Sequence, residues 1–210
     1  VASIGTLGIK SKKYKKDLSN TTIDPIQLSK ILSNLKKQNI NNVIMEASSH
    51  GLSQNRLDGL SFNTGIFTNL SQDHLDYHKN TKNYLKAKLY LFEKLIKTKG
   101  TIITDEKIPE FKKIKNIASN KNLNLFSLLD KKNNFQFLSH QYEHESQLLE
   151  IKYKNSIHKI KLNLIGKVQF KNVLMAVIAS IKSGINIEDI LNTIPKIKSV
   201  EGRFERVGRL

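Results

Sequence analysis

Cysteine is absent from this 210-residue chain, proline occurs three times, and arginine only four times beside 31 lysines. Lack of cysteine excludes disulfides and thiolate chemistry and fits a reducing compartment, so the cytoplasm is the expected address. No stretch approaches the roughly 20 apolar residues of a membrane span. No basic-then-apolar signal peptide opens the sequence, so no membrane association is expected. There is no internal repeat and no low-complexity linker, and we expect a monomer. At this length one sizeable core can form.

The charge is strongly one-sided, at +17. Nucleic-acid binders usually cluster their basic residues and use arginine forks. Here the lysines are scattered through helix faces and loops, which reads as a solvated surface. Nucleic acid is therefore not the expected partner, whereas anionic nucleotides or sugar phosphates suit the same field. With lysine as the default cation, Arg56 and Arg203 stand out as places where a planar fork is required.

What the chain does contain is a pair of apolar runs that end in polar clusters. Val43-Ile-Met-Glu-Ala-Ser-Ser-His50 and Gly65-Ile-Phe-Thr-Asn-Leu-Ser-Gln-Asp-His-Leu-Asp-Tyr-His78 each begin as a strand and stop in metal-, phosphate- or substrate-binding residue types. Read as adjacent strands, they place Glu46, Ser48, Ser49, His50, Asn69, Asp73 and His74 at one sheet edge, where ligands of open α/β folds sit.

Around these runs, Val1 to Ile9 reads as a short apolar strand and Lys10 to Lys16 as a lysine-rich loop. Asp24 and Pro25 form the N-cap and first residue of a helix running to about Gln38. A helix over Asn83 to Lys97, closed by Gly100, leads to a strand at Thr101-Ile-Ile-Thr104 and makes a βαβ unit. Phe135-Gln-Phe-Leu, Leu148 to Tyr153 and Ile157 to Leu164 alternate with period two, with Lys154-Asn-Ser156 as a hairpin turn. Helices follow at Asn172 to Ser183 and Ile187 to Ile194. The expected fold is α/β: a largely parallel sheet flanked by helices, with a small antiparallel subsheet.

Three features carry chemistry. Glu46, ending an apolar strand, needs solvent or a cation, and the small residues after it admit a ligand to the backbone. Asp73, His74, Asp76 and His78 offer metal or proton-transfer groups, with Asp73 alternatively capping a short helix. No matching His or Cys cluster supports a closed zinc site; an oxygen-rich magnesium site using Glu46 and His74 fits better. Lys88 is the anomaly. It shares a helical face with Leu85, Leu89, Phe92 and Leu95, while Lys82, Lys86 and Lys97 take the opposite face. Snorkelling is the ordinary explanation. Burial would instead favour the neutral amine, which can react with carbon dioxide to give an anionic carbamate.

In order along the chain, Gly5-Thr-Leu-Gly8, Asn20-Thr-Thr22, Met45 to Leu52, Gln54-Asn-Arg56, Phe67 to His78, Ala87-Lys88, Gly166 to Asn172 and Glu201-Gly-Arg203 resemble the Mur ligases, most closely the MurE type. The resemblance implies a P-loop-type ATPase domain and an ATP-dependent amide ligase. Such an enzyme adds a diamino acid, meso-diaminopimelate or L-lysine, to UDP-MurNAc-L-Ala-D-Glu through an acyl phosphate. By matching position, Glu46, His74 and an N6-carboxylated Lys88 would hold Mg2+ near the ATP phosphates, with His74 and Lys88 catalytic. Thr21, Thr22, Ser48, Gln54 and Arg56 match positions that bind the muramyl dipeptide, and Asn172 and Arg203 match nucleotide-side positions.

By the same resemblance, the family's glycine-rich P-loop is expected shortly upstream of Val1. We therefore expect residues 1–204 to be a central domain without that loop, residues 205–210 to begin a further domain, and the chain alone to be inactive. Three other readings compete: a folylpolyglutamate synthetase-like ligase, a metal-dependent hydrolase built on a carbamylated lysine, and a basic nucleic-acid-binding module. The hydrolase would usually add an early His-x-His pair, which this chain lacks. The Ser48-Ser49-His50 block and Asn20-Thr-Thr22 favour the muramyl substrate over folate.

Overall fold

A computed structural model describes residues 1–129, 134–144, 146–200 and 202. It divides into two units, one of residues 1–63 and 70–98, the other of 64–69 and 99–210.

In the first unit, β1 (Ala2–Gly5) and β2 (Gly8–Ser11) form a tight hairpin, Gly8 supplying the positive φ its turn requires. A two-residue β3 (Lys15–Lys16) extends it, so the expected lysine loop is partly strand. On its other side β1 pairs in parallel with β4 (Val43–Met45), giving the order β3-β2-β1-β4. Helix α1 (Pro25–Lys37) starts where the sequence predicts: Asp24 accepts the Gln27 N–H and Pro25 occupies the first turn. Its Leu28, Ile31 and Leu35 join Ile4, Ile9, Leu52 and Leu57 in one apolar cluster.

Three short helices follow on the polar segments: α2 (Ser49–Ser53), α3 (Leu75–His78) and α4 (Thr81–Tyr90). A π-helical turn, Leu91–Leu95, continues α4, and strand β6 (Ile96–Thr104) begins directly after it. The expected helix to Lys97 is therefore cut short, and Gly100 lies buried inside a strand instead of capping a helix. Local propensity favoured a slightly longer helix, but the strand already begins at Ile96 and runs on into the Thr101–Thr104 stretch that pairs with β7.

The second unit contains the sheet β5-β6-β7, with β5 at Phe62–Phe67 and β7 at Asn124–Ser127, β6 and β7 being parallel. Helix α5 (Phe111–Asn120) connects those two. The antiparallel subsheet is present as β8 (Phe135–Tyr142), β9 (Gln147–Tyr153) and β10 (Ser156–Leu162). Lys154 takes φ 54° at the hairpin predicted there. Helices α6 (Lys167–Lys182) and α7 (Ile187–Thr193) close the unit. Ile103, Leu149, Ile151, Ile160, Leu162 and Leu174 lie in its core.

The α/β class and the antiparallel subsheet stand as expected. The adjacency of the two motif strands does not: β4 and β5 belong to different sheets. Residues 205–210 lie outside the described residues. No helix among the described residues is long and apolar enough to cross a membrane.

Candidate functional site

The site is built from the β1–β2 turn upward. A Cβ on Gly5 would sit 2.5 Å from Glu46 Cδ, so glycine leaves the room that this side chain occupies. Glu46, just past β4, is exposed, and its Oε2 accepts from Thr6 N at 3.2 Å and Thr6 Oγ1 at 2.7 Å. Thr6 Oγ1 lies 3.0 Å from Thr21 Oγ1. Thr22 is buried; its hydroxyl donates to the Glu46 carbonyl at 3.0 Å and accepts the Ser48 N–H at 2.9 Å. Arg56 Nη1 donates to the Thr22 carbonyl at 2.7 Å. Ser48 is the N-cap of α2, its hydroxyl accepting the Gly51 N–H.

A second set of groups gathers on α2, α3 and α4. The Asp73 carboxylate accepts the His74 N–H at 2.8 Å and lies 3.5 Å from His74 Nε2. It does not cap α3; His74 holds that place in the left-handed region at φ 53°. The His50 ring lies 4.8 Å from His74, 4.2 Å from Tyr77 and 5.5 Å from His78, between centroids. Tyr77 OH is 3.1 Å from both Ser53 Oγ and Gln54 Nε2. Those bonds, with the Arg56 charge, hold the phenol below its ordinary pKa. His78 is 5% exposed, bonded through Nε2 to Ser49 Oγ at 2.9 Å and stacked on Tyr84. Burial first, then the neighbouring His50 and His74, keep its imidazole below the usual value, so it is neutral at pH 7.

Lys88 is half-buried among the apolar residues of α4, its Nζ 5.0 Å from the Tyr84 ring centroid. Lys82 and Lys86 are exposed, as the helical pattern predicts. A cation over a tyrosine face gains a modest attraction.

Glu46, Thr21, Thr22, Ser48, Gln54, Arg56, His74 and Lys88 thus all fall in the first unit. Two chains of contact join most of them. One runs Thr21–Thr6–Glu46–Thr22–Arg56, and the other Gln54–Tyr77–His50–His74–Tyr84–Lys88. Asn172 lies half-buried on α6 in the second unit, next to Lys171, which pairs with the buried Asp105. Arg203 lies outside the described residues.

Thr6, Tyr77 and Tyr84 are participants that residue-type reasoning passed over, whereas Ser49, expected in the polar cluster, is found bonded to His78. For Tyr77 the signal was an aromatic ring interleaved with Asp73, His74, Asp76 and His78. For Thr6 it was a hydroxyl in a Gly-x-x-Gly turn. Among the described residues no three His, Asp or Glu side chains converge as a ready metal set.

Comparison with known proteins gives these features a context. The family model of the Mur ligase middle domain matches residues 1–180. The UDP-N-acetylmuramoyl-L-alanyl-D-glutamate--2,6-diaminopimelate ligase of Zymomonas mobilis is 35% identical over 205 residues, covering 98% of this chain and 42% of its own length. Its counterpart in Rickettsia montanensis is 33% identical over 210 residues, with 98% and 44% covered. The chain therefore spans less than half the length of these relatives. A solved structure of a ligase of the same name superposes with a TM-score of 0.82 at 26% identity, over 96% of this chain and 41% of that one. The apo form of L. casei FPGS shares only the fold, with a TM-score of 0.65 at 12% identity over 84% of this chain and 43% of that one.

Proposed function

Because the chain belongs to the Mur ligase family through its middle domain, we infer that it is the central part of an ATP-dependent ligase. That enzyme joins 2,6-diaminopimelate to UDP-MurNAc-L-Ala-D-Glu in the cytoplasm. The observation that carries this reading is the 35% identity, maintained along 98% of the chain, to a ligase bearing that name. Diaminopimelate is preferred over L-lysine because the relatives at this identity are named for it.

In such a reaction the D-glutamate carboxylate attacks the γ-phosphorus of ATP, and ADP leaves. The amine of the diamino acid then attacks the acyl phosphate carbonyl, inorganic phosphate departs, and the amine loses a proton. Both steps concentrate negative charge, so fixed cations and dipoles aimed at it lower the barrier. Mg2+ bound beside the phosphates would neutralise part of that charge. The exposed Glu46 carboxylate suits it, since hard cations take oxygen ligands and few protein groups, and the His74 imidazole would add a single nitrogen donor. A carbamate on Lys88 would complete the set by turning a cation into an anionic oxygen donor, and the half-buried, apolar setting of that lysine supports this reading.

Arg56 and Gln54 would orient the muramyl dipeptide from α2 and the turn after it. Asn172 and Arg203 would serve the nucleotide. His78, neutral and bonded to Ser49, would shape the wall without carrying charge.

The test is turnover by the natural polypeptide that carries this chain. Supplied with ATP, diaminopimelate and UDP-MurNAc-L-Ala-D-Glu, it should release phosphate and form the tripeptide. Product with L-lysine alone would change the amino acid; glutamate addition to a folate, with no muramyl product, would replace the reading altogether.

A further inference from the structure

Resting on that reading of Glu46 as a magnesium ligand, we propose that Thr6 is the positioning residue that aims it, and that Thr21 polarises Thr6 in turn. Thr6 has one hydroxyl hydrogen, and the Glu46 Oε2, 2.7 Å away, receives it. The contact between Thr6 Oγ1 and Thr21 Oγ1 at 3.0 Å therefore has only one consistent polarity: Thr21 donates and Thr6 accepts. A directed chain results, Thr21 O–H to Thr6 Oγ, Thr6 O–H to Glu46 Oε2. Each donation strengthens the next, because a hydroxyl that accepts a hydrogen bond becomes a better donor.

The Thr6 backbone N–H reaches the same Oε2 at 3.2 Å. Two donors on one oxygen fix the rotation of the carboxylate and leave Oε1 as the oxygen open to a metal. Gly5 completes the cradle, since a Cβ there would lie 2.5 Å from Oε1 itself. Thr22 holds the other end of the same residue through the Glu46 carbonyl. The Asn20-Thr-Thr22 segment thus clamps Glu46 from both ends.

This arrangement constrains what Thr21 can offer a substrate. Its hydrogen is committed to Thr6, so toward a ligand its hydroxyl can only accept. It would take an amide N–H or a sugar hydroxyl, and would not serve a phosphate or carboxylate oxygen. Thr22, 2% exposed with its hydroxyl both donating and accepting, is a positioning residue.

The test is Mn2+ binding, followed by electron paramagnetic resonance, on the natural polypeptide with ATP present. Removing an outer partner of a metal ligand typically costs 10- to 100-fold in affinity. Thr6→Val should weaken Mn2+ binding at least about tenfold, and Thr6→Ser should restore most of it. Thr21→Val, which touches no metal ligand directly, should weaken it by a smaller factor. Wild-type affinity in folded Thr6→Val overturns the proposal. Should Thr6→Val be unfolded by circular dichroism, Thr21→Val decides, and unchanged affinity there overturns it equally. Failure of the unaltered protein to bind Mn2+ would instead overturn the metal reading on which the proposal stands.

Discussion

The two units of this chain spend their polar groups in opposite ways. In the second unit the core residues Ile151, Leu162 and Leu174 come from long, regular elements, and a partly buried Lys171 pairs with the buried Asp105. In the first unit, α2 and α3 have five and four residues, β4 has three, and polar side chains bond both to backbone groups and to one another. Elements that short gain little from their own helix or strand bonds, because nucleation costs more than a single turn returns. The side-chain contacts of Thr22, Ser48, His78 and Tyr77 hold them in place. The second unit leans on apolar burial from long elements, while the first adds a mesh of polar side-chain contacts to its smaller apolar cluster.

If that contrast is right, the largest effect should come from the mesh and fall on activity. Lys88→Ala in the natural polypeptide should lower kcat by about 10³-fold, the upper range for losing a group that stabilises transition-state charge. Bicarbonate or a short carboxylic acid should restore part of the loss by supplying the missing anionic oxygens. Wild-type turnover in Lys88→Ala would sink the carbamate idea. Leu174→Ala, fully buried in the second unit, should act on stability instead, costing about 2–5 kcal/mol in urea unfolding. A smaller loss would mean that the core there is less tightly filled than its burial implies.

The same contrast explains what could be read in advance. Period-two alternation fixes β9 and β10, and the hairpin at Lys154 follows from its turn residues. Asp24 and Pro25 mark the start of α1 for a local reason, an accepted N–H and a preset φ. Lys88 stands out on a helical wheel because its neighbours Leu85, Leu89 and Phe92 are apolar. Periodicity carries none of this for α2 or α3, which are too short to show a period. There, residue types alone pointed to Glu46, Ser48 and His74, and could not foresee that Thr22 is consumed internally. The early start of β6 at Ile96 was likewise invisible, since the strand it pairs with, β7, begins only at Asn124, well further on in the sequence. Arg203 was legible as a motif, but it lies outside the described residues.

An intermediate effect should follow pH. His78 is held neutral by burial, so its folded-state pKa lies below the unfolded value of about 6.5. The unfolded chain then binds more protons than the folded one in mild acid, and stability falls as pH drops through and below 6.5. Hydrogen exchange between pH 7 and 5 should show α2, α3 and α4 loosening, and His78→Asn should flatten that dependence. If the amides of β9 and α6 lose protection first, acid sensitivity belongs to the apolar unit and the comparison fails.

The smallest effect, and the sharpest, concerns backbone strain. Lys154 at φ 54° and His74 at φ 53° both occupy the left-handed region, which costs a side-chain-bearing residue roughly 1–2 kcal/mol relative to glycine's freedom. At Lys154 the conformation serves only a two-residue hairpin turn, so Lys154→Gly should stabilise the chain by up to about 1 kcal/mol. At His74 the same conformation sets the imidazole 4.8 Å from His50 and beside Asp73. His74→Gly should relieve the backbone equally while removing the ring, so it should match the stability change of Lys154→Gly and yet lose activity. Paired thermal unfolding of the two variants measures this directly: a large destabilisation in His74→Gly would mean that the ring holds the fold together, and that the strain there is structural.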